Sequence, residues 1–182
     1  MRVLLISGST RNGSTNGAAL AAAAALAPRT VTIARYDGLV ALPAFNPDDD
    51  GERLPEPAAA LRDEIGRSDA VLFCTPEYAG TLPGSFKNLL DWTVSGGQLY
   101  GKPVAWLNVA AAGRGAGAQE TLRMVLGYLS ADIVESACRH IPVDRSAIGA
   151  DGIVTDPAVR AAIAEVLADL IDYRPASEAA QA

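Results

Sequence analysis

Gly8-Ser9-Thr10-Arg11-Asn12-Gly13-Ser14-Thr15-Asn16 lies between the apolar run Val3-Leu4-Leu5-Ile6 and an alanine-rich segment, residues 18–27. Alanine has the highest helix propensity, so the stretch reads as the turn from a strand into a helix. The first N–H groups of a helix have no acceptor within it, and the helix dipole adds positive charge at the same end. Such a junction is a ready anion site. Ser9, Ser14, Thr15 and Asn16 add short hydrogen-bonding side chains, and the Arg11 guanidinium suits a forked contact with phosphate. We expect this turn to hold a phosphate group. Two other phosphate loops are disfavoured. Gly8 to Thr15 has the spacing G-x-x-x-x-G-x-[ST], but Ser14 stands where nucleoside triphosphate hydrolysis needs lysine, and G-x-G-x-x-G is absent. The bland alternative is an ordinary turn capped by Ser14 or Thr15, but a cap needs one hydroxyl and no arginine.

Outward from the turn, the chain alternates strand and helix. Residues 30–36 alternate as a strand does, after Pro28 has ended the first helix. Residues 37–57 form a long connection with Asp48-Asp49-Asp50-Gly51-Glu52 at its centre. These acids lack the spacing of a calcium loop, so a solvated, mobile loop bordering a site is expected. An amphipathic helix over 58–67 carries Leu61 and Ile65, and residues 69–75 form a near-continuous apolar run, the mark of a parallel strand covered on both faces. Pro76-Glu77-Tyr78-Ala79-Gly80-Thr81-Leu82-Pro83 follows, then a helix from Gly84 to about Val94. A buried strand over 103–109 leads into the glycine-rich loop 111–117 and a helix over 119–129. Residues 133–143 supply a fifth strand and 157–173 the last helix. Five strands and five helices in alternation imply a doubly wound α/β fold, a five-stranded parallel sheet in a three-layer α/β/α sandwich. Ligands in such folds sit beyond the carboxyl ends of the strands, so the loops after strands one, three and four should converge on one ligand.

Residues 1–173 of the 182 are expected to form one domain, with residues 174–182 a disordered tail. A net charge of −6 argues against nucleic acid as partner. The two cysteines, Cys74 and Cys138, have no disulfide-framework spacing, which fits the cytoplasm. No apolar run is long enough for a signal peptide or a membrane span. No metal site is expected.

Together the three loops resemble the NAD(P)H-dependent FMN reductases of the flavodoxin-like superfamily, a group that includes quinone, azo-dye and chromate reductases. Residues 8–16 match the family's phosphate signature G-S-x-R-x-x-S-x-N. Residues 76–84 resemble its flavin-ring loop P-E-Y-N-G-S-x-P-G, followed by the family-like Lys87-Asn88-Leu89-Leu90-Asp91-Trp92. The likeness runs from the first strand to about residue 143. Ala79 stands in place of the family's asparagine, and Ala116 in place of a glycine in the third loop.

The resemblance implies FMN as cofactor and NADPH or NADH as co-substrate. Hydride would pass through the flavin N5 to a flavin, quinone, azo or similar small-molecule acceptor. Ser9, Arg11, Ser14, Thr15 and Asn16 would hold the phosphate, and Pro76, Glu77, Tyr78, Ala79 and Gly80 the ring. Gly113, Arg114 and Gly115 would line the ring's other side or meet the nicotinamide. The Arg114 guanidinium suits the extra phosphate of NADPH, and equally a solvated loop position. No catalytic side chain is required, because the cofactor carries the chemistry. The family commonly completes its site with a second subunit, which implies a homodimer or homotetramer with helix 84–94 as the candidate interface.

Other residues have plainer readings: Cys74 as a small core residue, His140 as structural or surface, Trp92 as core or interface, Arg123 as the partner of a surface acid. Two rivals stand beside the reductase. One is a flavodoxin-type electron carrier without small-molecule turnover, although such carriers favour a hydroxyl-rich phosphate loop without arginine. The other is a degenerate member serving as a binding or sensor module.

Overall fold

The computed structural model describes residues 1–174. Four apolar runs become strands: β1 (Arg2–Ser7), β2 (Thr32–Tyr36), β3 (Ala70–Cys74) and β4 (Pro103–Asn108). They pair in parallel in the order β2-β1-β3-β4, with the fifth position beyond β4. That order, 2-1-3-4-5, is the flavodoxin-like form of the doubly wound fold, as expected. β3 is buried along its whole length, as a central strand covered on both faces must be.

The fifth position corrects the sequence reading. Residues 133–143 do not form one strand but two short ones, β5 (Asp132–Ile133) and β6 (Arg139–His140), which pair with the start and the end of β4. A 3₁₀ turn at Glu135–Ala137 interrupts them. Glu135 at its head is drawn into an ion pair with Arg123 on the neighbouring helix. At a sheet edge such an interruption costs few ladder bonds and blunts the edge against pairing with another chain.

Among the described residues five α-helices cover the sheet. On one face lie α1 (Thr15–Leu26) and α5 (Pro157–Asp172), packed around Leu5, Leu72, Leu107 and Leu167. α2 (Glu56–Gly66), α3 (Gly84–Asp91) and α4 (Ala116–Tyr128) lie on the other, around Ile6, Phe73, Phe86, Trp92 and Trp106. The alanines of α1 let it lie close to the sheet: Ala19, Ala22 and Ala23 have no exposed surface. Of the expected tail, residues 175–182 lie outside the described residues.

The long connection after β2 also departs from expectation, for it is clamped to the body. The Pro43 carbonyl accepts hydrogen bonds from Asn88 Nδ2 and Trp92 Nε1, both at 2.9 Å, and the Phe45 ring meets Trp92 edge-on at 5.0 Å. Within the acidic run, Asp50 is the anchored member. Its carboxylate takes the Arg62 guanidinium at 2.6 Å and the Ser95 hydroxyl at 2.6 Å. Trp92 is fully buried, which places it in the core.

Candidate functional site

At the carboxyl end of the sheet, the residues leaving β1, β3 and β4 form three adjoining loops. The first begins where Gly8 N–H donates to the Cys74 carbonyl at 2.9 Å. A side chain on residue 8 has no room: a Cβ there would lie 2.2 Å from Thr75 Oγ1 and 2.9 Å from Phe86 Cγ. The chain then folds back on itself, with Ser9 N–H donating to Ser7 Oγ at 3.2 Å and Arg11 N–H to Ser9 Oγ at 3.3 Å.

Ser14 caps α1, its Oγ accepting from Gly17 N–H at 3.0 Å, and its own hydroxyl hydrogen stays available. The plain capping role is therefore real for Ser14, but it does not use up the helix terminus. The N–H groups of Thr15 and Asn16 find no acceptor among the described residues, nor does the exposed Arg11 guanidinium. Asn16 is buried, and its Oδ1 accepts from the Cys74 thiol at 3.2 Å, which leaves its Nδ2 and its backbone N–H as the donors it can offer a ligand. Burial pushes the Cys74 thiol far above its ordinary pKa, which makes it a packing residue and not a nucleophile.

The second loop is a two-residue hairpin turn. Tyr78 and Thr81 exchange backbone hydrogen bonds of 3.0 and 3.1 Å, with Ala79 and Gly80 between them at φ of +50° and +76°. Positive φ at both central residues defines the type I′ turn, for which Asn-Gly is the favoured pair. Tyr78, Ala79 and Gly80 are exposed; Pro76 and Glu77 are half-buried.

The third loop is held from below by Asn108, at the end of β4. Its Nδ2 donates to the Arg114 carbonyl at 3.1 Å and its Oδ1 accepts from Ala110 N–H at 3.0 Å. Gly115 is buried, whereas Gly113 and Arg114 are exposed. His140 Nε2 lies 2.8 Å from the Ala110 carbonyl, which gives the single histidine a structural contact beside this loop. Asn108 is a site-shaping residue that the sequence reading passed over, although a lone polar residue closing a buried apolar run was a visible signal.

The second and third loops are locked together. Glu77 Oε2 accepts from Ala118 N–H at 3.2 Å, in the first turn of α4. Thr81 and Thr121 hydroxyls meet at 2.8 Å, and a Cβ on Gly117 would lie 2.1 Å from the Gly80 carbonyl oxygen. Glu77 thus contributes its side chain, which ties the second loop to α4. The consequence is electrostatic. The α4 terminus already has its anion in Glu77, whereas the α1 terminus, with Arg11 beside it, has none among the described residues, so of the two it is α1 that is open to an anion.

Arg123 pairs with Glu135 through both nitrogens and lies 5.1 Å over the Trp106 ring. Among the described residues no three His, Cys, Asp or Glu side chains gather to hold a metal ion. No helix among them is long and apolar enough to cross a membrane.

Comparison with known proteins points the same way. The family model described as NADPH-dependent FMN reductase matches residues 1–144. An NAD(P)H-dependent FMN reductase of Pseudomonas aeruginosa is 35% identical over 170 residues, covering 92% of this chain and 91% of that protein. A 2-hydroxy-1,4-benzoquinone reductase from a Burkholderia species is 32% identical over 164 residues, 88% of each chain. Among solved structures, the flavoenzyme NAD(P)H:(acceptor) oxidoreductase FerB of Paracoccus denitrificans superposes with a TM-score of 0.79 at 28% identity, covering 94% of this chain and 96% of that one.

Proposed function

This chain belongs to the NADPH-dependent FMN reductase family, and on that premise we propose how its three loops serve an NAD(P)H-driven flavin oxidoreductase with FMN as cofactor. Residues 1–173 act as one FMN-binding domain. The FMN phosphate is held by the first turn of α1, with Thr15 and Asn16 N–H, the hydroxyls of Ser9, Ser14 and Thr15, and Arg11 as the charge partner. Residues 76–80 receive one side of the isoalloxazine ring, and Gly113, Arg114 and Gly115 the other.

The observation that carries this reading is the contrast between two helix termini. The α1 terminus has N–H donors without acceptors beside a free guanidinium, while the α4 terminus is already capped by Glu77. A flavin monophosphate needs one anion site and a neutral, close-fitting ring cradle next to it, and this donor set fits that need. Bound FMN supplies the two-electron chemistry. The protein's share is to fix the phosphate, to press the Tyr78–Thr81 turn against α4 so that the ring seat is rigid, and to leave Tyr78 at the rim, where an arriving aromatic ring can stack.

The acceptor is a small molecule, and quinones are the class we favour, because quinone reductases recur among the relatives. We further propose a cytoplasmic homodimer or homotetramer, with the surface around α3 as the interface. The test compares FMN with riboflavin. Arg11→Ala should weaken FMN by about tenfold or more and leave riboflavin nearly unchanged, as measured by quenching of flavin fluorescence. Equal losses for both ligands would remove the phosphate from this turn.

A further inference from the structure

Cys74, the last residue of β3, touches the phosphate turn at both of its ends. Its carbonyl accepts from Gly8 N–H at 2.9 Å, where the turn begins, and its thiol donates to Asn16 Oδ1 at 3.2 Å, where the turn has become α1. Cys74 is fully buried and Asn16 is 5% exposed. We propose that Cys74 is a positioning residue for the flavin phosphate: its thiol fixes the Asn16 side-chain amide so that the donor end, Nδ2, is the one left for the phosphate. The assignment rests on the reading above that this turn holds the phosphate of FMN.

A side-chain amide has an acceptor at one end and two donors at the other, and half a turn about its last bond exchanges them with little change of shape. Beside a phosphate the two orientations have opposite effects. Nδ2 adds a charge-assisted hydrogen bond, whereas Oδ1 sets a partial negative charge against an anion. Among the described residues the Cys74 thiol is the one group that hydrogen-bonds the Asn16 amide, so the choice of orientation falls to it. A thiol is a weak donor in water, but at a buried contact no water competes for the oxygen, and a weak donor suffices.

Two further observations fit this role. Burial pushes the Cys74 thiol up in pKa, so the proton that holds Oδ1 is present throughout the neutral pH range. Asn16 Nδ2 has no acceptor among the described residues, yet it is not sealed from solvent, as the Tyr36 hydroxyl is. The acceptor end of the amide is thus satisfied inside the protein and the donor end is left over, as an anion site requires.

The test compares two variants that differ by one hydroxyl. Cys74→Ala removes the donor, and Cys74→Ser puts one back. With quenching of flavin fluorescence as the measure, Cys74→Ala should weaken FMN about fivefold and leave riboflavin unchanged, whereas Cys74→Ser should keep most of the FMN affinity. In an Asn16→Ala background, Cys74→Ala should change the ratio of FMN to riboflavin affinity no further. Equal losses of FMN and riboflavin in Cys74→Ala would reduce the cysteine to packing and overturn the proposal. An unaltered ratio in Cys74→Ala, a serine variant as weak as the alanine one, or a further drop in the ratio once Asn16 is gone would each overturn it as well. Failure of the underlying reading shows separately, as wild type that binds FMN no more tightly than riboflavin.

Discussion

Ala79 has a φ of +50°, a left-handed conformation that costs an L-residue with a Cβ roughly 1–2 kcal/mol, which glycine and asparagine largely avoid. The type I′ turn at 78–81 leaves it no alternative, because the turn needs positive φ at both central positions. The family's asparagine at this position therefore has a backbone reason, independent of any contact to a ligand. Ala79→Asn should stabilise the protein by up to about 1 kcal/mol and raise the thermal midpoint by about 2 °C. A differential scanning measurement with an unchanged or lower midpoint would refute the strain account. Sequence alone reveals the departure at residue 79 but not its cost, since φ depends on the hydrogen bonds that Tyr78 and Thr81 exchange across the turn. Asn16 teaches the same lesson: the motif marks it as a phosphate ligand, and only tertiary packing shows that its Oδ1 is taken by the Cys74 thiol.

Among the elements, the pairing of the ring turn with α4 decides whether the cradle is rigid. Gly117 is the contact point, and it works by having no side chain. In an isolated helix Ala would be the better residue by roughly 0.8–1 kcal/mol. Here a Cβ 2.1 Å from the Gly80 carbonyl would push the turn off the helix and strain the Glu77 contact with Ala118. Gly117→Ala should weaken FMN binding by about tenfold with the far-UV circular dichroism spectrum unchanged; undiminished affinity in a flavin titration would show that the contact does not shape the site. Elements with one strong physical signal were legible in advance. The β1, β3 and β4 strands announce themselves as apolar runs, and the α1 turn by its glycines, hydroxyls and arginine. The split of β5 from β6 was not legible, because Ile133, Val134, Ile141 and Val143 look like one strand until Arg123 on α4 claims Glu135. The true start of α4, at Ala116 and not at residue 119, depends likewise on a cap supplied from another loop.

Across the whole molecule, the two core layers set the sheet, and a few polar clamps tie the long connection after β2 to them. Those clamps make stability depend on pH on the acid side. The Ser95 hydroxyl, and with it the Arg62 guanidinium, holds the Asp50 carboxyl below the usual carboxylate range, and Arg123 does the same for Glu135. A folded pKa below the unfolded one means that the unfolded chain binds the proton more readily. The stabilisation is therefore complete above the ordinary carboxylate value, about 3.9 for aspartate, and is lost as pH falls through the lower folded value. For Asp50 the contribution is larger than for an exposed pair, since its side chain and that of Arg62 are only 7% and 12% exposed. Asp50→Asn keeps the shape and removes the charge. At pH 7 it should cost about 2 kcal/mol, with the long connection, rather than the sheet, losing protection from hydrogen exchange. The gap between wild type and variant, read from urea midpoints, should stay constant from pH 7 to about pH 5 and narrow as pH falls below 4, because the other carboxylates titrate in both proteins and cancel in the difference. A gap that is still full at pH 3 would mean that the charge on Asp50 does no work in the folded state, and that the loop is held by Pro43 and Phe45 alone.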